Sequence, residues 1–309
     1  MKSFFRAVLC LLACALPAAA ANRCIGGNAN GSFDLGNGYH LEISAGAGDH
    51  SGECHIVIDG KAPLLDVYAY DLRVDEFSGK DVNNDGEPDM IVVGHIKKGD
   101  PFTYWIVSFK EPAGVARQIA TVYPLTFEDR DGDQKIEIWT REWSYNGIDG
   151  LSPDDSPHPL VALRLLGNRL IWVSDRFPLE YDPEIIQAKQ RITEDGVNKL
   201  KNLTDQSQAS VGAAGGGTTL GGGKDDPKMD ARAFEAKLGI LELFTAYLYA
   251  GKNAEAIKAL GDWPFRDRDR IRTALIRQRG NGIMRQLTAP QPAPSRQAAA
   301  PPPATSQPQ

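Results

Sequence analysis

The chain has 309 residues, 42% of them hydrophobic and 24% charged, with a formal charge of −6. The apolar share excludes wholesale disorder, and four cysteines are too few to scaffold a chain of this length with disulfides. The acidic balance excludes a dedicated nucleic-acid binder, and the length suits about two domains.

Residues 1–21 read as a secretory signal peptide. Lys2 and Arg6 form its charged start, residues 7–16 are a short apolar stretch, and Ala19 and Ala21 stand at the small positions before a cut. The alternative is lipid attachment at Cys14. No later segment has the run of about 18 apolar residues that a membrane span needs. The expected location is therefore periplasmic or secreted. Loss of Lys2 and Arg6 moves the formal charge from −6 to −8. Cys10 and Cys14 leave as well, so Cys24 and Cys54 remain. In an oxidising compartment such a pair is most simply a disulfide; the alternatives are two free thiols or a metal site using Cys54 and His55, with His50 nearby.

Residues 22–181 read as a β domain. Alternation at period 2 marks strands at 39–44 and 55–58, and further candidates lie at 65–72, 90–95, 104–109, 115–122, 136–145, 160–166 and 170–174. Gly167-Asn168 separates the last two as a hairpin turn. No helical period intervenes, which favours antiparallel meanders over βαβ units.

The pattern changes at Asp182-Pro183-Glu184, a helix start, and 182–203 reads as an amphipathic helix carrying Ile185, Ile186 and Ile192. Residues 204–229 contain Gly215-Gly-Gly and Gly221-Gly-Gly and read as a flexible linker. Residues 230–288 read as a helical hairpin domain. Phe234, Leu238, Leu241, Phe244 and Leu248 form one helix face, which Gly251 ends. Asn253 is the expected cap of a second helix with Ala256, Ile257 and Leu260, and a third candidate covers 267–279. Residues 289–309 are a Pro/Ala/Gln tail, expected to be disordered. The fold expected is α+β, mainly β: an antiparallel meander of two or three blade-like sheets with DxDxDG loops, followed by a small helical domain.

The sharpest chemical signal is Asp81-Val-Asn83-Asn-Asp85-Gly86-Glu87-Pro-Asp89. Oxygen side chains fall at positions 1, 3, 5 and 9, and glycine at position 6, where the chain must turn sharply. Ca²⁺ takes hard oxygen ligands on such a loop, with a backbone carbonyl at position 7, here Glu87. A second copy, Asp129-Arg-Asp131-Gly132-Asp133-Gln134-Lys135-Ile-Glu137, keeps the acidic positions and departs at position 6, where Gln134 replaces glycine. Neither loop is an EF-hand, because position 12 is Val92 in one and Thr140 in the other.

The stretch from Phe77-Ser-Gly79-Lys-Asp81 to Met90-Ile-Val-Val-Gly94 resembles the FG-GAP/VCBS calcium-loop repeat of integrin-like β-propellers. Residues 81–178, about a third of the chain, are similar to small exported bacterial proteins that carry two such loops and have no known role. The resemblance implies a Ca²⁺-stapled β module. Its ligands would be Asp81, Asn83, Asp85, the Glu87 carbonyl and Asp89, then Asp129, Asp131, Asp133, the Lys135 carbonyl and Glu137. About 150 residues of β pattern are too few for a closed propeller of at least four blades.

No catalytic constellation accompanies the loops. Residues 217–224 lack the spacing of a phosphate loop, and His50 takes the serine place in a GxSxG-like turn. The expected function is a non-enzymatic, calcium-stabilised binding or assembly module of the cell envelope, whose partner is an envelope protein or glycan. The alternative is an envelope hydrolase of glycans or peptides near the second loop. Glu137 and Glu142 can be imagined as its carboxylates, but the sequence gives no separation to test; Trp139, Trp143 and Tyr145 could stack on a sugar, although core packing is the better reading of them.

Overall fold

The computed structural model describes residues 23–25, 27, 31–61, 63–211, 229–265 and 267–288. The expected signal peptide, the C-terminal tail and residues 212–228 of the expected linker lie outside the described residues. Among the described residues helix and strand take similar shares, so the fold is α+β and a β majority is not shown. The described residues form three antiparallel sheets, and the chain divides into two compact units between Ala120 and Thr121.

The first unit holds two sheets. One is a meander of β2 (Gly31–Gly36), β3 (Tyr39–Ala45), β4 (Cys54–Asp59) and β5 (Leu65–Ala69). Alternation sends Tyr39, Leu41 and Ile43 inward, and the register sets Leu41 against Ile58 and Ile43 against Ile56. The β2–β3 turn is Asn37-Gly38, both at positive φ (54° and 82°), the geometry of the two-residue hairpin. β2 is absent from the expected strands: it alternates in burial, but none of its six residues is fully buried.

The other sheet has the order β1-β6-β7-β8-β9: β1 (Arg23–Ile25), β6 (Asp71–Val74), β7 (Asp89–His95), β8 (Phe102–Ser108) and β9 (Gly114–Thr121). The single strand expected at 65–72 is two strands. Tyr70 breaks it by donating its N–H to the His95 and Ile96 carbonyls, and the chain passes there from one sheet to the next. Both sheets contribute to one core that includes Leu41, Ile56, Leu72, Val92, Trp105 and Val107. Cys24 of β1 and Cys54 of β4 form a disulfide inside it, which displaces the Cys54–His55 metal reading. The bridge closes a separation of 30 residues. Replacing both cysteines by serine is expected to cost about 3–4 kcal/mol in the chain-entropy account, read by urea unfolding.

The second unit holds the third meander and the helices. Its strands are β10 (Thr126–Glu128), β11 (Glu137–Arg141), β12 (Leu160–Leu166) and β13 (Arg169–Trp172). The strand expected at 136–145 stops at Arg141, because Glu142 turns its carboxylate onto the N–H groups of Trp143 and Ser144. Lys237, 3% exposed, binds Asp149 in the loop that follows, at 2.9 Å.

The amphipathic helix expected at 182–203 is two, α1 (Asp182–Arg191) and α2 (Glu194–Val211), so helix also covers the first eight residues of the expected linker. The break sits at Thr193, whose hydroxyl accepts the Gly196 N–H as a capping residue does. Ile185 is buried as expected, whereas Ile186 is 56% exposed. The face predicted from Phe234 to Leu248 becomes α3 (Ala231–Tyr249), which is buried on nearly all sides. Gly239 lets α1 approach: a Cβ there would stand 2.7 Å from the Ala188 carbonyl oxygen. Gly251 ends α3 at φ 76°, and α4 (Asn253–Ala259) follows. Asn253 opens α4 rather than capping it, and Ile257 is 54% exposed instead of buried. The remaining helices are α5 (Arg268–Gln278) and α6 (Arg285–Thr288). Among the described residues no helix is long and apolar enough to cross a membrane.

Candidate metal centre

The two acidic loops occupy equivalent places in their meanders. Each runs straight into the strand that follows it, and position 9 is that strand's first residue: Asp89 in β7 and Glu137 in β11.

Their internal hydrogen bonds match. In both, the carboxylate at position 1 accepts the N–H of position 6: Asp81 from Gly86 and Asp129 from Gln134, each at 2.9 Å. Position 5 accepts the N–H of position 7, so Asp85 and Asp133 each take one bond at 3.0 Å from Glu87 and Lys135. Position 9 accepts the N–H of position 2: Asp89 from Val82 at 2.8 Å and Glu137 from Arg130 at 2.9 Å. Positions 4 and 6 are left-handed in both loops, Asn84 (57°) and Gly86 (94°) in one, Gly132 (72°) and Gln134 (67°) in the other. Each loop thus has one glycine for two left-handed residues, at position 6 in the first and at position 4 in the second. Gln134 keeps the loop shape at the cost of strain, so Gln134→Gly is expected to stabilise the protein by about 1 kcal/mol in urea unfolding.

The loops differ in what faces their carboxylates. In the first, Asp85 accepts from the Asn83 amide at 2.8 Å and the Ser108 hydroxyl at 2.7 Å. Burial pushes the Asp85 carboxyl up, but these two bonds, the Glu87 N–H and the nearby Lys110 charge together outweigh it and hold it below the ordinary range. Asp89 is 1% exposed, and its Oδ2 takes the N–H groups of Val82 and Asn83 while its Oδ1 is buried with no hydrogen-bond partner. Burial, with the charges of Asp85 and Asp81 beside it, pushes the Asp89 carboxyl up to about 7. The Lys110 ammonium binds the Asp85 carbonyl at the loop's rim and is exposed to solvent.

In the second loop, Asp129, Asp131, Asp133 and Glu137 bring oxygens within 4.8 Å of one another, close enough to hold a metal ion. Cationic side chains also reach this loop. Arg164, on β12 directly opposite Glu137, is 2% exposed. Its Nε donates to Glu137 at 2.6 Å, its Nη1 to Asp133 at 2.8 Å, and its Nη2 to both Asp131 oxygens at 3.1 Å. Arg176 adds a bond to Asp131 at 2.9 Å. Burial works against the Arg164 charge, yet its bonds to Glu137 and Asp133 prevail and hold the guanidinium more firmly protonated. Burial likewise pushes Glu137 above the carboxylate range.

Of the ten residues expected as ligands, Asp129, Asp131, Asp133 and Glu137 form the acidic cluster whose oxygens converge among the described residues, whereas Asp81, Asn83, Asp85 and Asp89 are tied together by hydrogen bonds within the first loop. Glu87 and Lys135 are exposed at position 7. The sequence reading missed Arg164 and Arg176. The signal for Arg164 was a charge in the middle of Val161-Ala-Leu-Arg-Leu, an otherwise apolar strand. The hydrolase pair is not brought into the open: Glu137 and Glu142 are both 0% exposed. Trp139 and Tyr145 are core residues, with the Arg130 guanidinium 4.0 Å above the Trp139 ring. No protein-family model, no curated protein and no solved structure matches the chain.

Proposed function

We propose that this chain is an exported, calcium-stabilised binding or assembly module of the cell envelope, with no catalytic role for its metal. The observation that carries the calcium assignment is Asp89 Oδ1: a buried carboxylate oxygen without a partner, beside Asp81 and Asp85. A buried charge of this kind calls for a cation, and an all-oxygen loop suits Ca²⁺ over softer-ligand metals. The Cys24–Cys54 disulfide supports an oxidising compartment, which agrees with a signal peptide and a periplasmic or secreted location. The likeness to FG-GAP/VCBS loops supports a structural ion, with Kd on the order of 10⁻⁴–10⁻³ M as in extracellular modules. The hydrolase alternative is the weaker reading, since the carboxylate pair imagined for it, Glu137 and Glu142, is fully buried.

Thermal melting in EDTA and in calcium at about ten times Kd tests the reading, and linkage gives about 1.4 kcal/mol of stabilisation per site. Identical melting under the two conditions would falsify it. Cross-linking in intact envelopes, followed by identification of the captured protein or glycan, tests the partner side.

A further inference from the structure

The matched geometry of the loops makes their one large difference informative. Across the sheet from position 9 stands Ser108 in the first loop (Asp89↔Ser108) and Arg164 in the second (Glu137↔Arg164). These are equivalent sites, since each lies on the next strand in the chain and faces the first residue of the strand that its loop opens. We infer that Arg164 is the built-in cation of the second loop, so that the chain takes its divalent ion at the first loop alone.

The guanidinium reaches three of the four clustered carboxylates and misses only Asp129. Its planar fork matches pairs of carboxylate oxygens, which a compact ammonium could not do. A calcium ion held by the same oxygens at about 2.3–2.6 Å would lie within roughly 4 Å of the guanidinium, so one cation excludes the other. Arg164 cannot leave unless another cation takes its place, because Glu137 is 0% exposed and would otherwise be buried without a counter-charge. Arg176 reaches Asp131 and Asp133 from outside, while the Arg130 side chain turns away to Glu128 and Glu180. In the first loop Ser108 supplies a hydroxyl to Asp85 and no charge, and Asp89 Oδ1 is left without a partner. The arginine assignment stands on this geometry alone; the count of one ion rests also on the calcium reading above.

The test is equilibrium dialysis of the full chain against calcium chloride, with melting curves in EDTA and in calcium. The wild type should bind one ion. Asp131→Asn with Asp133→Asn should leave that number and the calcium-induced melting shift unchanged, and Ser108→Arg should abolish both. Arg164→Ser should melt lower than the wild type in EDTA and bind a second ion in calcium. Two ions on the wild type, falling to one in the Asp131→Asn, Asp133→Asn variant, would overturn the inference. A wild type that binds none overturns the calcium reading, and Arg164→Ser then decides the rest. Lowered melting in EDTA keeps the arginine as the loop's cation, and unchanged melting removes it.

Discussion

Asp89→Asn should melt at the same temperature in EDTA and in calcium, and should be more stable than the metal-free wild type above neutral pH. Asp89 is 1% exposed and its carboxyl is raised to about 7 by burial and by the neighbouring Asp85 and Asp81. An unfolded aspartate ionises near 3.9. The folded value lies above the unfolded one, so below about pH 4 the group is neutral in both states and costs nothing. Between about pH 4 and 7 the unfolded chain loses its proton first, and metal-free stability falls as pH rises. Three units of separation correspond to about 4 kcal/mol, fully felt above pH 7. This sense is opposite to that of a salt-bridged carboxylate, which loses stability on acidification. Asparagine retains an acceptor for the Val82 and Asn83 N–H groups, and its amide can donate toward the acidic neighbours. The variant should therefore fold, lose the extra pH slope and ignore calcium. Melting of both proteins at pH 5 and 7.5, with and without calcium, reads all three effects. Parallel wild-type and variant curves across that range would remove Asp89 from the metal centre.

Arg164→Met should destabilise the second unit by about 3–5 kcal/mol, the usual cost of breaking a buried ion pair from one side. Glu137 is then a fully buried carboxylate whose only remaining hydrogen bond in the loop is the Arg130 N–H. Adding Glu137→Gln should recover most of the loss, because the neutral amide no longer carries an uncompensated charge. Asp131 and Asp133, partly open to solvent, should contribute much less. Urea unfolding of the wild type, both single variants and the double variant gives the coupling energy directly. A loss below about 1 kcal/mol for Arg164→Met would mean that the pair is screened as a surface contact is.

Much of the fold was legible because its signals are local. Tyr39-His-Leu-Glu-Ile alternates, Gly167-Asn168 fits only a tight turn, and the α3 face repeats at helical spacing. Misreadings arose where a residue's partner lies far along the chain. Tyr70 looks like mid-strand until the His95 carbonyl claims its N–H. Ile257 looks like core because its spacing from Leu260 is helical, yet Ala256 of α4 and Leu260 just beyond its end are buried while Ile257 stays in solvent. Lys237 lies within an apolar run, and its match with Asp149 spans 88 residues.

The sequence by itself determined the two acidic loops, down to which oxygens recur and where each turns. Those features depend on a few adjacent residues and on the conformations that glycine permits. Tertiary structure alone decided what neutralises each loop. The strand pairing that sets Ser108 opposite Asp89 also sets Arg164 opposite Glu137, 27 residues away along the chain. Charge compensation acts through space over a few ångströms, so near-identical loops acquire different electrostatics from the strand that folds against them.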